Sequence, residues 1–558
     1  MLYHGGRTIT AIRAKGPDGR FAYYETVGRP DFNQYSGGLT LPNIEQFNPN
    51  DRITVNNVSI KAWQAETYQV RFEYYFGQLG QLSIGGFIRD YKNFFQSVTS
   101  ESTPEFLAAY GEADRTGTGG GLAAEGEAVA VHEIPLPELA AMGRRGAITD
   151  MKSLTLLFAA SFGVFALGRN HPVLRDALKS VLDSELPNLV QMDVSTLAGV
   201  LTEKLLEHVP YLDKALYCNS GAEAVEAAIK FSRMATGRTG IVFCDHGYHG
   251  VTNGALSLNG DAIFRDGFEP LLPECVKIPF NDLLALERAL HTRKIAAFVV
   301  EPIQGKGVNM PSGDYLKDAA AICRRHGTLF VADEIQTGMG RTGKFLAVEH
   351  WGVEPDMVLL AKSLSGGHVP VGAVLTRKAV FDKVFNRMDR AVVHGSTFSK
   401  NDLAMAAGIA TLDVMKAERL IENAAEKGER LIRSFTDMMP KHELMAHVRG
   451  KGLMVGVEFG QPKSLKLRAS WSMVETASKG LFCQMITIPL FKDEKILCQV
   501  AGHASHTVKL LPAAIITNED CDWILKSFET VIADAHRLGA VWSLGKTLAE
   551  HAVRAKAS

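Results

Sequence analysis

The sequence predicts an α/β protein with a mostly parallel sheet covered by helices on both faces, preceded by a separate β-rich segment. Three observations predict it. Runs at 215–219, 240–244, 296–300, 329–332 and 357–361 are apolar throughout rather than alternating. Stretches with helical periodicity, such as AEAVEAAIKFSRMA and LKDAAAICRRH, lie between them. Strands apolar on both sides and separated by helices belong to parallel sheets buried on both faces. The first hundred residues differ in composition, holding 8 of the 13 tyrosines.

Within that first segment, Tyr68, Val70, Phe72, Tyr74 and Phe76 alternate with Gln69, Arg71, Glu73 and Tyr75. This period of two predicts a strand with one apolar face. A short turn at 77–80 leads into QLSIGGFIRDYKNFF, so a hairpin is expected. Residues from about 10 to 98 resemble the closing strands of a TonB-dependent outer-membrane receptor barrel. About one hundred residues cannot close so large a barrel, and no transport function follows. Residues 1–111 therefore read as a β-rich appendage. Residues 112–145 read as a linker, opening on EADRTGTGGGLAAE.

At about 150 residues per domain, 558 residues allow roughly three or four domains. Lys+Arg (60) and Asp+Glu (61) balance to a net charge of -1, without the basic excess of a nucleic-acid-binding protein. The seven cysteines form no CxxC, so neither a disulfide framework nor a zinc site is expected, and no metal. Reduced thiols suit a cytoplasmic enzyme. The start MLYHGGRTITAIRAKG lacks an apolar signal core. The apolar run 154–168 falls short of the roughly 20 residues of a membrane span and reads as a buried strand and loop.

In open α/β sheets, ligands bind beyond the carboxyl ends of the strands. After ALYCN comes Ser220-Gly221-Ala222-Glu223, opening a helix whose N–H groups suit a phosphate. After IVFCD comes Gly247-Tyr248-His249-Gly250, which sets an aromatic ring at a pocket rim. TLFVA ends on Asp333, an acid costly to bury without a cation. MVLLA ends on Lys362, whose partly desolvated amine would be nucleophilic. An acid and a lysine closing successive strands, each before a glycine-rich loop, mark a catalytic site.

These residues carry a specific resemblance. Asp333-Glu334-Ile335-Gln336-Thr337-Gly338, Gly340-Arg341-Thr342-Gly343, Ala361-Lys362 and Gly366-Gly367 resemble the signature of class III (ornithine/GABA-type) aminotransferases, as do EPIQG at 301–305 and HGSTFSKN at 394–401. The resemblance runs from about residue 147 to 540. It implies a fold type I pyridoxal-phosphate enzyme with a seven-stranded, mostly parallel central sheet and a smaller α+β domain. Residues 146–200 would form the N-terminal part of the small domain and the entry to a large cofactor domain at 201–435, with the C-terminal small domain at 436–558. Lys362 would hold the cofactor as a Schiff base and shuttle the substrate proton. Asp333 would pair with the pyridine nitrogen, making the ring an electron sink. Tyr248 and Ile335 would sandwich the ring, with His249 beside them and Gln336 near the ring hydroxyl. Gly221 and Ala222 would bind the phosphate. Thr397 would reach the phosphate of a neighbouring subunit, implying a homodimer. The substrates would be a small amine or amino acid and a keto acid or aldehyde. Aminomutase, racemase and decarboxylase chemistry are the alternatives within the class.

The sequence departs from the pattern in two places. Relatives acting on α-amino acids carry an arginine where this chain has Lys509, in Thr507-Val508-Lys509-Leu510-Leu511-Pro512. Lysine cannot make a bidentate fork to a carboxylate. A Glu301–Lys509 pair is expected instead, with an amine or ω-amino donor; carboxylate binding by Lys509 or Arg449 is the other option. Upstream, residues 146–160 only partly match, and Ser161-Phe162-Gly163 is the expected pocket lining.

Overall fold

A computed structural model describes residues 161–184 and 195–537, together with the backbone of five strands within residues 2–88. The linker 112–145 and the segment 146–160, which includes the first part of the apolar run at 154–168, lie outside the described residues. By internal contacts the chain divides into Met1–Leu136 and Pro137–Ser558.

In the first unit the strands are β1 (Leu2–His4), β2 (Arg7–Lys15), β3 (Phe21–Gly28), β4 (Tyr68–Phe76) and β5 (Gly80–Ile88). β4 and β5 pair antiparallel from Tyr68↔Ile88 to Phe76↔Gly80, the expected hairpin.

The second unit is built on a seven-stranded sheet. Its strands are β6 (Lys214–Cys218), β7 (Gly240–Cys244), β8 (Cys275–Ile278), β9 (Ile295–Val300), β10 (Leu329–Asp333), β11 (Met357–Leu360) and β12 (Gly372–Thr376). Their spatial order is β6-β12-β11-β10-β9-β7-β8. Pairing is parallel from β11 to β8, while β12 runs antiparallel to both β11 and β6.

Side-chain alternation divides the apolar strands between two cores. Val242, Phe298, Val300, Phe330, Ala332, Val358 and Leu360 face one. Ile241, Phe243, Ala297, Val299, Val331, Met357 and Leu359 face the other, under the helix Gly221–Thr236 with its buried Val225, Ile229 and Phe231. Each large aliphatic side chain buried this way contributes about 1.5–3 kcal/mol. With apolar layers on both faces, the polar strand ends are left to carry the chemistry.

A second sheet, in the order β13 (Met445–Lys451), β14 (Met454–Phe459), β16 (Thr507–Leu510), β15 (Gln499–Val500), is wholly antiparallel. The helices Leu420–Met438 and Leu481–Lys492 pack against it, and Asn518–His536 packs on those two helices. Its strand β16 carries Lys509 to the loop that follows β9. Among the described residues, no helix is long and apolar enough to cross a membrane.

Candidate active site

Asp333 closes β10 and is only 3% exposed. A carboxylate buried there needs partners. Its Oδ2 lies 2.6 Å from Nδ1 of His249, and its Oδ1 accepts the N–H of Ile335 at 3.1 Å. Burial disfavours the His249 imidazolium. The hydrogen bond to Asp333, that acid's charge and the charge of Glu301 outweigh burial, and the His249 pKa is raised. Asn259 fixes the turn, accepting the His249 N–H at 2.9 Å and donating to the Gly250 carbonyl at 2.8 Å.

Glu301 follows β9 and is buried. Its two carboxylate oxygens accept the N–H groups of Tyr248 at 2.8 Å and Gly305 at 2.7 Å. Burial raises its pKa and the charge of Asp333 adds to the rise, against the lowering by His249 and the two N–H bonds.

Lys362 begins a short 3₁₀ turn, Lys362–Ser365, just past β11. Its φ of 48° lies in the left-handed region, a strained conformation for a residue with a side chain. Gly366 and Gly367, at φ 59° and 82°, complete the loop. Burial lowers the pKa of the Lys362 amine, while Asp333 and Glu301 pull it back up. The amine therefore sits in the field of both acids.

At the start of the helix Gly221–Thr236, Ser220 Oγ accepts the N–H of Glu223 at 3.2 Å, and Glu223 reaches back to the N–H of Asn219 at 2.7 Å. The N–H groups of Gly221 and Ala222 have no partner among the described residues and point from the positive end of the helix dipole. A Cβ on Gly221 would lie 2.8 Å from Cδ1 of Ile335, so glycine lets Ile335 pack against this helix end. Asn219 Nδ2 also donates to Ser396 Oγ at 2.6 Å, bringing the loop that holds exposed Thr397 to the same end.

The predicted Glu301–Lys509 ion pair is replaced by other contacts. The Lys509 ammonium donates to the Gly305 carbonyl at 2.7 Å and to Gln336 Oε1 at 3.1 Å. Glu301 is already satisfied by two backbone N–H groups, so the lysine turns to the adjacent carbonyl. Burial lowers the Lys509 pKa to about 8, with the nearby charge of Lys362 adding to the shift and Glu301 opposing it. Arg449 is spent on Glu458, the Gly307 carbonyl and Thr507 Oγ1.

Gln336 Nε2 donates to the Phe162 carbonyl at 3.2 Å, so Phe162 meets the site through its backbone, with its side chain 61% exposed. Tyr248 is exposed, with its ring edge-on to Phe264 at 5.4 Å.

Arg341 was visible only as part of a motif. It is buried, and its guanidinium donates to the carbonyls of Gly163, Leu453 and Pro512. It thereby ties both chain segments that border the site to the glycine-rich loop. Gly305 is equally constrained, since a Cβ there would lie 2.6 Å from Gln336 Oε1 and 3.1 Å from Glu301 Oε2. Gly305→Ala should displace Gln336 and cost about 1–3 kcal/mol. The denaturation midpoint, read with the rate of cofactor loss, checks this.

A buried acid, a desolvated amine, two N–H groups at a helix start and glycines where a Cβ would clash fit pyridoxal phosphate. Fold and site together define a fold type I, pyridoxal-phosphate-dependent transferase. The model of the family described as aminotransferase class-III matches residues 132–532, and the chain belongs to this family. It is 34% identical over 405 residues to the aminotransferase PigE of a Serratia species, covering 67% of this chain and 48% of that protein. It thus spans about half the length of PigE. It is 35% identical to the acetylornithine aminotransferase of Bacillus cereus, covering 67% of this chain and 89% of the relative. The structure matches the ornithine aminotransferase of Toxoplasma gondii with a TM-score of 0.60 at 31% identity, over 68% of this chain and 87% of that one. An amine transaminase from an uncultivated Pseudomonas species matches with a TM-score of 0.58 at 26% identity, over 68% and 90%. The protein is a pyridoxal-phosphate-dependent transaminase acting on an amine or amino acid and a keto acid.

Proposed function

We propose that transamination runs on Lys362 and Asp333, and that the amino donor is an amine or ω-amino compound rather than a simple α-amino acid. Bound pyridoxal phosphate supplies an electron sink for the charge a substrate carbon acquires when it loses a proton. Lys362 would hold the cofactor and carry that proton, burial lowering its pKa so that more of the amine is unprotonated and nucleophilic. Asp333 would keep the ring nitrogen protonated, with His249 positioning it from behind. Gly221 and Ala222 would hold the phosphate, Tyr248 and Ile335 the two ring faces, and Gln336 the ring hydroxyl. Glu301 and the Phe162 segment would border the substrate.

One observation carries the donor assignment. The cation at position 509 is a lysine whose ammonium is committed to Gly305 and Gln336, leaving no planar fork for an α-carboxylate. An amine-donor and carbonyl-acceptor panel, followed through the cofactor spectrum, tests it. Amine or ω-amino donors should convert the cofactor to its amine form stoichiometrically and faster than alanine or glutamate. Far faster turnover of alanine or glutamate overturns the assignment, and turnover without net amino transfer points to aminomutase or racemase chemistry.

Lys509 also predicts a pH effect. Its ammonium loses its charge near pH 8, so KM for a carboxylate-bearing acceptor should rise above that pH. In Lys509→Met the rise should vanish. That variant leaves two buried acceptors without a donor, at a cost of about 1–3 kcal/mol.

We further propose a cytoplasmic homodimer, with Thr397 reaching the phosphate site of a second copy. The exposed Val392, Thr397 and Phe398 in one loop beside the helix start, and seven free thiols, support this reading.

A further inference from the structure

We infer that Glu287, His291 and His326 form a binding site for a zinc-class divalent ion, away from the catalytic strand ends. Glu287 and His291 stand four residues apart on the helix Leu283–His291, a spacing that sets both on one face. His326 ends the helix Tyr315–His326, which packs against the first. One potential ligand atom from each residue lies within 4.8 Å of the others, and this is the one such group of three among the described residues. His326 is the residue before the turn into β10, so the cluster lies at the opposite end of that strand from Asp333.

A plain histidine–glutamate pair accounts for only part of this arrangement. His326 is 6% exposed, with Nε2 2.6 Å from Glu287 Oε1, which fixes the ring with that nitrogen toward the cluster. The exposed His291 ring is gathered to within 6.0 Å of the His326 ring without a hydrogen bond of its own to this cluster. Arg325 donates to Glu287 Oε2 at 2.7 Å. That contact orients the carboxylate from outside and leaves Oε1 to face the histidines, as outer partners of metal ligands do. Two imidazoles and one carboxylate match zinc, with a fourth position open to water. Zinc–ligand bonds of about 2.0–2.2 Å set tetrahedral ligand atoms about 3.3 Å apart, so the His326–Glu287 pair opens slightly while rotation of exposed His291 brings its nitrogen in. The ligands come from two helices and involve no cysteine, so sequence spacing could not reveal them.

Titration of zinc chloride into the holoenzyme, freed of excess cofactor, tests the site by calorimetry and melting temperature. The expected result is one ion per chain and a raised melting temperature, with cofactor absorbance and turnover unchanged. His291→Ala, an exposed position that should not disturb folding, should weaken binding about tenfold or more, and Glu287→Gln should do likewise. Absence of binding, or equal binding by His291→Ala, overturns the inference.

Discussion

Lys362→Ala should cut transamination by about a thousandfold or more, within or beyond the range of about 10²–10⁴ that a positioned acid–base group contributes. No other side chain can take over the role. Lys509, the other buried amine of the site, is held on the Gly305 carbonyl and Gln336. The Lys362 backbone is itself held in the left-handed region, and its neighbour Ser363 is anchored by Oγ donating to the Gly163 carbonyl at 2.8 Å. The loop should therefore persist in the variant, so folding and the denaturation midpoint change little while steady-state turnover collapses. A small primary amine added to the buffer should restore part of the rate. Because burial lowers the Lys362 pKa and the amine must be unprotonated to take up the substrate proton, the rising, acid-side limb of the wild-type pH profile should lie at lower pH than an exposed lysine would give.

Asp333→Asn should have the second largest effect. The substitution keeps the shape but removes the charge that faces His249 and that would hold a proton on the cofactor ring. We expect a rate loss of about 10²–10⁴ with modest change in cofactor retention, measured by single-turnover kinetics. It should also alter stability in a pH-dependent way. The His249 pKa is raised in the folded state, so its interaction with Asp333 contributes stability that is fully present below the ordinary histidine value of about 6.5 and is lost as pH rises through the raised folded value. The stability gap between wild type and Asp333→Asn should therefore be widest at mildly acid pH and narrow on going alkaline. Denaturant midpoints across that range check the sign.

Much of this architecture could be read from the sequence because parallel strands buried on both faces leave continuous apolar runs. β6, β7, β9, β10 and β11 all coincide with such runs to within a residue. β8 escaped because it is an edge strand, with Val276 and Lys277 exposed and only Ile278 buried. β12 is fully buried, but it is short, begins with glycine and runs antiparallel, so no strand–helix alternation announces it. Asp333, Lys362 and Glu301 were legible because charge at the end of an apolar run is unusual. The partner of Lys509 was not, because it depends on which acceptors the Glu301 carboxylate leaves unused after binding two backbone N–H groups. Arg341 and Asn259 were missed as site supports, since each acts through carbonyls or a backbone N–H far away in sequence. Phe162, expected from the sequence as pocket lining, meets Gln336 through its carbonyl, a contact no side-chain pattern announces.

The central claim is that Lys362, and not the neighbouring buried Lys509, is the amine that holds the cofactor. Borohydride reduction of the holoenzyme, followed by proteolysis and mass spectrometry, reads this directly. The account predicts a pyridoxyl mass on the peptide that contains Lys362 and none on the peptide that contains Lys509; the mass on Lys509, or on neither, would contradict it.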